Sequence, residues 1–595
     1  MGGAHVAAPL FGRLRHGEGA LKTSPTLRLV SALLLLGAAV FAQEVPPSDK
    51  PPAEKPPESQ VGGLRFLDVS EVTIVNVEVT VTSKSGPVLG LKQEDFEVFQ
   101  DGKAQSLTNF ALYTRAAAPA PVPVASPPAS APTTPTQAPA EVPKREPRFI
   151  AFYVDNEYIL PMNRNRVIGK MADWVYDNLK PPDRAMVVSY QRSLKVLQSF
   201  TSEPDDVAAA LRAVKWYTGG ANDANNTRQD VEDYIEQNSS NASSVNQAID
   251  RAKSFAREQY NNLTFAVGAI KELIGMMSGL PGKKAIIYLS DGLPMTPGLE
   301  LYYEIQDSYR NVSVLGEAQD NDATALFRSL VNTATAAGVT LYTIDSSGLQ
   351  SNAGIEAERS QPRSSIASTM MTSNYQNSLS YMAEQTGGLA ILNANDPTPG
   401  LEKIANDFET FYSLGYRLVP SGQDRMHHIE VKVKSHPEYR LAYRKTFIER
   451  TLPTLIGDRV VSGLTFDLED NPLGVELSTG NPAPAESGRW TLPVEIRVPF
   501  DRVALIPQGD KLVGYVMVYY AARDDEGKQS DLQRTEHTIS VPASEYERAR
   551  KQHFTVTTAL LLEPGRYRIS VGVRDELTNQ AGYAVARQAV HPEVK

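Results

Sequence analysis

Cysteine is missing altogether from the 595 residues, which excludes disulfides, lipidated cysteine and thiolate metal sites. Stability must then come from core packing. Histidine is scarce at 8, too few and too scattered to suggest an imidazole-based metal or catalytic centre. A surplus of positive charge is also lacking. The formal net charge is −10, against the basic face a nucleic-acid binder carries, and such mild acidity serves solubility. No G-x-S-x-G elbow, Walker loop or H-E-x-x-H motif occurs, and no internal repeat. Apolar residues at 41% and charged residues at 22% remain ordinary for a globular protein, and the length allows several domains, each with its own core.

The one long apolar run stands near the N-terminus. Arg13, Arg15, Lys22 and Arg28 precede "LVSALLLLGAAV", and small residues follow at Val40 and Ala42. The run is shorter than the ~20 residues of a spanning helix. A basic region, a short apolar core and a small-residue site describe a secretory signal over 1–42, cleaved after Ala42. The expectation is an exported protein, periplasmic or at the cell surface or beyond, with no transmembrane helix after cleavage.

Two proline-rich stretches, over 43–63 and 116–147, read as extended linkers that bury too little apolar surface to fold. They bracket a small β module at 64–115. There Val75, Val77, Val79 and Val81 alternate with polar residues, and Asp101-Gly102 marks a hairpin. Its size predicts docking on something larger. From 148 to about 450 strands alternate with helices. "RFIAFYVD", "RAMVVSY", "KKAIIYLSDG" and "VTLYTID" are buried-type strands. Val167, Met171, Trp174 and Val175 form one helix face, and Val267, Ile270, Leu273, Ile274 and Met277 another. This alternation predicts an α/β fold with a doubly wound, mainly parallel sheet of Rossmann-like type. "TGGANDANNTRQDVEDYIEQNSSNASSVNQ" interrupts it as a polar insertion. The remaining 451–595 alternate as strands again and predict an Ig-like β-sandwich, with Tyr567 placed like a tyrosine corner.

Ligands of open α/β sheets bind beyond the carboxyl ends of the strands. In "YVDNEYIL" Asp155 ends the first strand, with Glu157 two residues on. Asp291 ends the strand "AIIYLSDG", and Thr264 in "NNLTFAVGAI" precedes a helix leading back to it. This arrangement resembles the von Willebrand factor type A (VWA) domain. "VEVTVTSKSGPVLGLKQEDFEVFQDGKAQSLTNF", "LPGKKAIIYLSDG", "AAGVTLYTIDSSGL" and "MAEQTGGLAILNANDPTPGLEKIANDFETFYSLGYRL", in that order, are similar to a secreted bacterial, acidobacterial-type VWA-related family across most of Val69 to Arg444. The resemblance implies a metal-ion-dependent adhesion site in which two Ser hydroxyls, a Thr and acids hold a divalent cation. Asp155, Thr264 and Asp291 match it. Glu157 and Ile159 stand at the two Ser positions, and Ile159 cannot coordinate. The site implied is degenerate: Asp155, Glu157, Thr264 and Asp291 around a weakly held Mg²⁺ or other divalent cation, with no other cofactor.

Two accounts of the acids stay open, that weak site or carboxylates that serve the fold by accepting backbone N–H bonds. "TGG" at 218–220 and 386–388 hints at phosphate cradles, the second better read as a helix C-cap, and His427-His428 reads as a surface strand pair. The resemblance implies protein–protein contact, so the expected function is non-enzymatic adhesion or assembly with a protein partner outside the cytoplasm. The alternatives are a metal-dependent hydrolase using the same carboxylates and a purely structural envelope protein with a dead VWA site.

Overall fold

The computed structural model describes residues 60–61, 64–65, 73–114, 147–309, 312–349, 364–467 and 470–590. The expected signal at 1–42 and nearly all of both proline-rich linkers lie outside the described residues. The chain divides into two units, Met1–Leu67 and Asp68–Lys595. In the first, Gln60–Val61 pairs antiparallel with Leu64–Arg65.

In the second unit the layer that carries the site begins with β1 (Arg148–Asp155), buried at every position, so both of its faces must be covered. It continues through α1 (Pro161–Asn178), β2 (Arg184–Gln191), β3 (Ser193–Thr201), α2 (Pro204–Ala213), α3 (Ala221–Asn238), α4 (Val245–Met277) and β4 (Lys283–Ser290). Then come α5 (Leu299–Ser308), α6 (Thr324–Ala337), β5 (Val339–Asp345), α7 (Ser365–Thr386), β6 (Ala390–Ile391) and α8 (Thr398–Glu409). The strands lie in the order β3-β2-β1-β4-β5-β6, all pairings parallel except β3 on β2. On one face Ala151, Tyr153 and Tyr288 pack against α4, α6 and α7; on the other Ile150, Phe152 and Val154 pack against α1, α2 and α8. Parallel pairing stops at this sheet. Every other sheet among the described residues is antiparallel, so "mainly parallel" describes one layer and not the chain.

The strands of 73–113 do not form a module of their own. Thr73–Ser83 and Leu107–Tyr113 flank Phe411–Leu418, and Phe96–Gln100 pairs with Arg425–Val433. Val77, Val79, Val81, Phe96 and Val98 close one core with Tyr412, Leu414, Ile429 and Val431. A boundary between 64–115 and the strands after 410 therefore cuts through shared sheets. Asp101 and Gly102 make the two-residue hairpin at φ 49° and 76°, the left-handed pair such a turn requires. His427 is not a surface residue. Strand alternation points it inward with Ile429 and Val431, and its Nδ1 lies 2.8 Å from Asp101 Oδ2.

Two further differences are helices where polar or strand-like sequence was expected. The polar stretch after Thr218 forms α3 and the start of the 33-residue α4, because buried Val231 and Ile235 share a face with an Arg228–Glu232 ion pair one turn apart. After Thr451 a helix, Leu452–Gly463, precedes the sandwich. Its Ser462 hydroxyl donates to Met276 O (2.7 Å) and accepts from Gly279 N (2.9 Å), and Val460 packs against Gly572. The sandwich itself buries Leu492, Val494 and Ile496 of one antiparallel sheet against Val516, Val518 and Val571 of the other. The Tyr567 hydroxyl donates to Glu563 O at 3.0 Å, as a tyrosine corner does.

This junction generates a paired prediction. A Cβ on Gly279 meets the backbone of Asp458 and Arg459, whereas Gly268 is exposed in α4 with open space around it. Gly279→Ala should cost about 1–3 kcal/mol through overpacking. Gly268→Ala should add about 1 kcal/mol through helix propensity. Urea midpoints measured by circular dichroism check both signs.

Candidate functional site

Strand order reverses between β1 and β4, so the connections leave the sheet in opposite directions and open a crevice at their carboxyl ends. Asp155 ends β1 there, and Asp291 directly follows β4.

Asp155 is completely buried. Its Oδ1 accepts the N–H groups of Glu157 and Tyr158, each at 3.1 Å, and its Oδ2 accepts the Tyr288 hydroxyl from β4. Burial pushes its pKa up to about 7, while the bonds from Tyr288, Tyr158 and Glu157 act the other way. Asp291 serves the opposite rim of the crevice. Its Oδ2 accepts from Leu160 N (2.8 Å) and Asn163 Nδ2 (3.0 Å), its Oδ1 accepts from Ser346 Oγ (2.5 Å), and its own N–H donates to Tyr158 O (2.9 Å). Leu160 is the N-cap of α1 and has no capping side chain of its own, so Asp291 supplies the acceptor and the negative charge that a helix start favours. Burial raises its pKa to about 6 against those same bonds.

Glu157 projects from the loop between them. Its Oε2 is buried and makes no hydrogen bond, and its carboxyl group lies against Gly220, where a Cβ would stand 2.7 Å away. Burial raises its pKa most strongly, Arg192 lowers it, and Asp223 raises it. Ile159 is fully buried in the core beneath α1. Thr264 is elsewhere. Rather than preceding a helix, it sits in the middle of α4, exposed, with its hydroxyl bonded to Tyr260 O at 2.9 Å.

A cavity of about 170 Å³ occupies the crevice; Glu157, Tyr158, Asp291, Arg192, Asp223 and Glu258 are among the residues that line it. Of the four expected ligands, the structure therefore brings only Glu157 and Asp291 to one cavity. Among the described residues no group of three or more His, Asp or Glu side chains is spaced to hold a metal ion. The oxygens of Asp155 and Asp291 already accept protein donors, and the second Ser position is a core isoleucine. The donor set does not fit a six-oxygen divalent site.

Several residues that build the site are silent in sequence. Arg164, on the buried face of α1, donates to Asn156 Oδ1 (2.8 Å), Tyr217 O (2.8 Å) and Lys215 O (3.1 Å), tying the β1 loop to the segment before α3. Arg166 donates to Ser346 O (2.5 Å) and holds the loop after β5. A charged residue on an amphipathic helix's inner face was the one available signal. The first "TGG" is no phosphate cradle, since Gly220 N–H donates to Asn156 O at 2.8 Å. In the second, Gly387 takes φ 82° and caps α7.

Asp155 yields a pH prediction. Its folded pKa of about 7 exceeds the ordinary 3.8, so the folded state holds a proton that the unfolded chain releases. The folded state is favoured by this group at acidic pH, and that advantage is lost as pH rises from about 4 to about 7. Asp155→Asn should remove this loss, so the variant's stability relative to the parent should increase across that window. Urea unfolding at a series of pH values reads the slope; parallel curves would contradict it.

No protein-family model and no curated protein matches this chain. Solved structures similar to parts of it include BatB from Bacteroides thetaiotaomicron, at 11% identity over 44% of this chain and 96% of that one, with a TM-score of 0.21. An aerotolerance-related membrane protein from Bacteroides fragilis matches at 12% identity over 43% of this chain and 98% of that one, TM-score 0.21. Proximal thread matrix protein 1 from the mussel byssus, with a zinc-occupied MIDAS motif, matches at 14% identity over 45% of this chain and 47% of that one, TM-score 0.22. This chain thus spans nearly all of the first two and about half of the third, at scores too low to carry an argument about activity.

Proposed function

We propose that this chain is an exported, non-enzymatic protein that binds a protein partner through a doubly wound domain of VWA type, at an adhesion site that has lost its metal. The basic and apolar N-terminal run supports export, and the strand order with its single antiparallel edge supports the fold type. The observation that carries the functional reading is the use of the two site aspartates. Both turn their oxygens inward to loop and helix donors, so the loops are held rigid without a cation. Rigid loops at a switch point make a binding surface. Around them Met162, Trp216 and Leu349 are 72%, 80% and 62% exposed. Large apolar residues held outward in this way fit a partner interface better than they fit a solvated loop.

Hydrolysis by a metal-bound water requires carboxylates converging on one ion. Asp155 does not line the cavity, which weighs against that alternative. A purely structural role is what a failed capture would leave. The full exported chain, immobilised, should retain a specific partner from an envelope extract equally well with excess EDTA or with Mg²⁺. Trp216→Ser should lower capture roughly tenfold or more, the scale of an interfacial tryptophan. Capture abolished by EDTA and restored by Mg²⁺ would contradict the reading.

A further inference from the structure

The cavity is unbalanced in charge. Glu157, Asp223, Glu258 and Asp291 face it with Arg192 as the single cationic side chain among its lining residues. Negative charge enclosed by low-dielectric walls focuses its field on the space between and draws in a cation. A bare divalent ion requires oxygens at ~2.1 Å in a near-octahedron, a spacing the described acids do not offer. An ammonium or guanidinium group bonds at ~2.8 Å and spans carboxylates set farther apart.

Two polar atoms on the cavity residues have no partner among the described residues. Tyr158 is 8% exposed, lines the cavity, and its hydroxyl makes no hydrogen bond; Glu157 Oε2 is likewise buried and unbonded. Buried polar atoms are almost always satisfied, by protein or by ordered water, so these two leave hydrogen-bonding capacity that a donor entering the cavity can use. The neighbouring loops hold large apolar side chains outward, with Lys215 Nζ 4.8 Å over the Trp216 ring. Arg164 holds the carbonyls on either side of Trp216, leaving the indole outward. Arg166, two residues on, holds Ser346 O, and the Leu349 N–H donates to Asn395 Oδ1 at 2.9 Å. Met162 lies on the first turn of α1, the helix that carries both arginines.

We infer that the cavity receives a lysine or arginine side chain of the protein partner, whose apolar flanking residues lie on Met162, Trp216 and Leu349. The charge preference is then the reverse of the one a bound divalent cation would impose, since a cation attracts acidic groups. This inference rests on the partner-binding reading above.

Calorimetric titration of the full chain in EDTA tests it with capped tripeptides in which leucines flank a central lysine, arginine or glutamate. The lysine or the arginine peptide should bind, the glutamate peptide should not, and added salt should weaken binding. The pair Asp223→Asn and Glu258→Gln, both at exposed positions and therefore safe for the fold, should weaken it at least tenfold, as should Glu157→Gln. Equal binding of the glutamate peptide, cationic binding indifferent to these substitutions, or silence from both cationic peptides would overturn it. Partner capture that survives while the cationic peptides neither bind nor compete overturns this inference alone. Absence of any partner capture overturns the reading it rests on, and this inference with it.

Discussion

Two enclosed carboxylates hold the working edge of this protein together. Asp155 and Asp291 stand at the ends of adjacent parallel strands, and each is surrounded by donors from separate elements. Asp155 closes the β1 loop on itself and on β4, and Asp291 joins that loop to the start of α1 and to the segment after β5. Once the loop is closed, Asn156 can accept Arg164, Arg164 can hold the segment before α3, and Gly220 can lie against Glu157. Burial raises the pKa of both acids against the donors that surround them, so enclosing them carries a cost.

Rigidity changes what the edge can do. A metal in this position would both order the loops and present a positive charge. On the proposed reading hydrogen bonds do the ordering, and the charge left facing outward is negative. Glu157 is the hinge of that reversal. It carries charge where a hydroxyl would be neutral, and it lines a cavity with three further acids. Ile159 completes the change by turning into the core beneath α1.

Much of the framework was legible because it follows local periodicity. Val167, Met171, Trp174 and Val175 fall on the buried face of α1, and Val267, Ile270, Leu273, Ile274 and Met277 on that of α4. Misreadings arose where polarity hides an apolar stripe, as in α3, or where tertiary contact decides the state, as in Leu452–Gly463 against α4. Thr264 was misplaced because α4 begins far upstream, so the threonine lies mid-helix with its hydroxyl bonded to the preceding turn. In the site itself, Asp155 and Asp291 were identifiable from their positions at strand ends. Acceptance of backbone N–H bonds was one of the two uses open to them, but their side-chain partners were not legible. Their partners Tyr288, Asn163 and Ser346 lie 133, 128 and 55 residues away in sequence, and no local pattern announces them. The inward turn of Ile159 and the orphaned oxygen of Glu157 likewise exist only in three dimensions.

The claim on which the account rests is that this edge is ordered by its own hydrogen bonds and not by a cation. Calorimetric titration of the full chain with MgCl₂ and with MnCl₂ tests it most directly. The account predicts no saturable heat from either ion. A one-site isotherm that disappears in Asp155→Asn would contradict it, and would make Asp155 a metal ligand instead of a loop clamp.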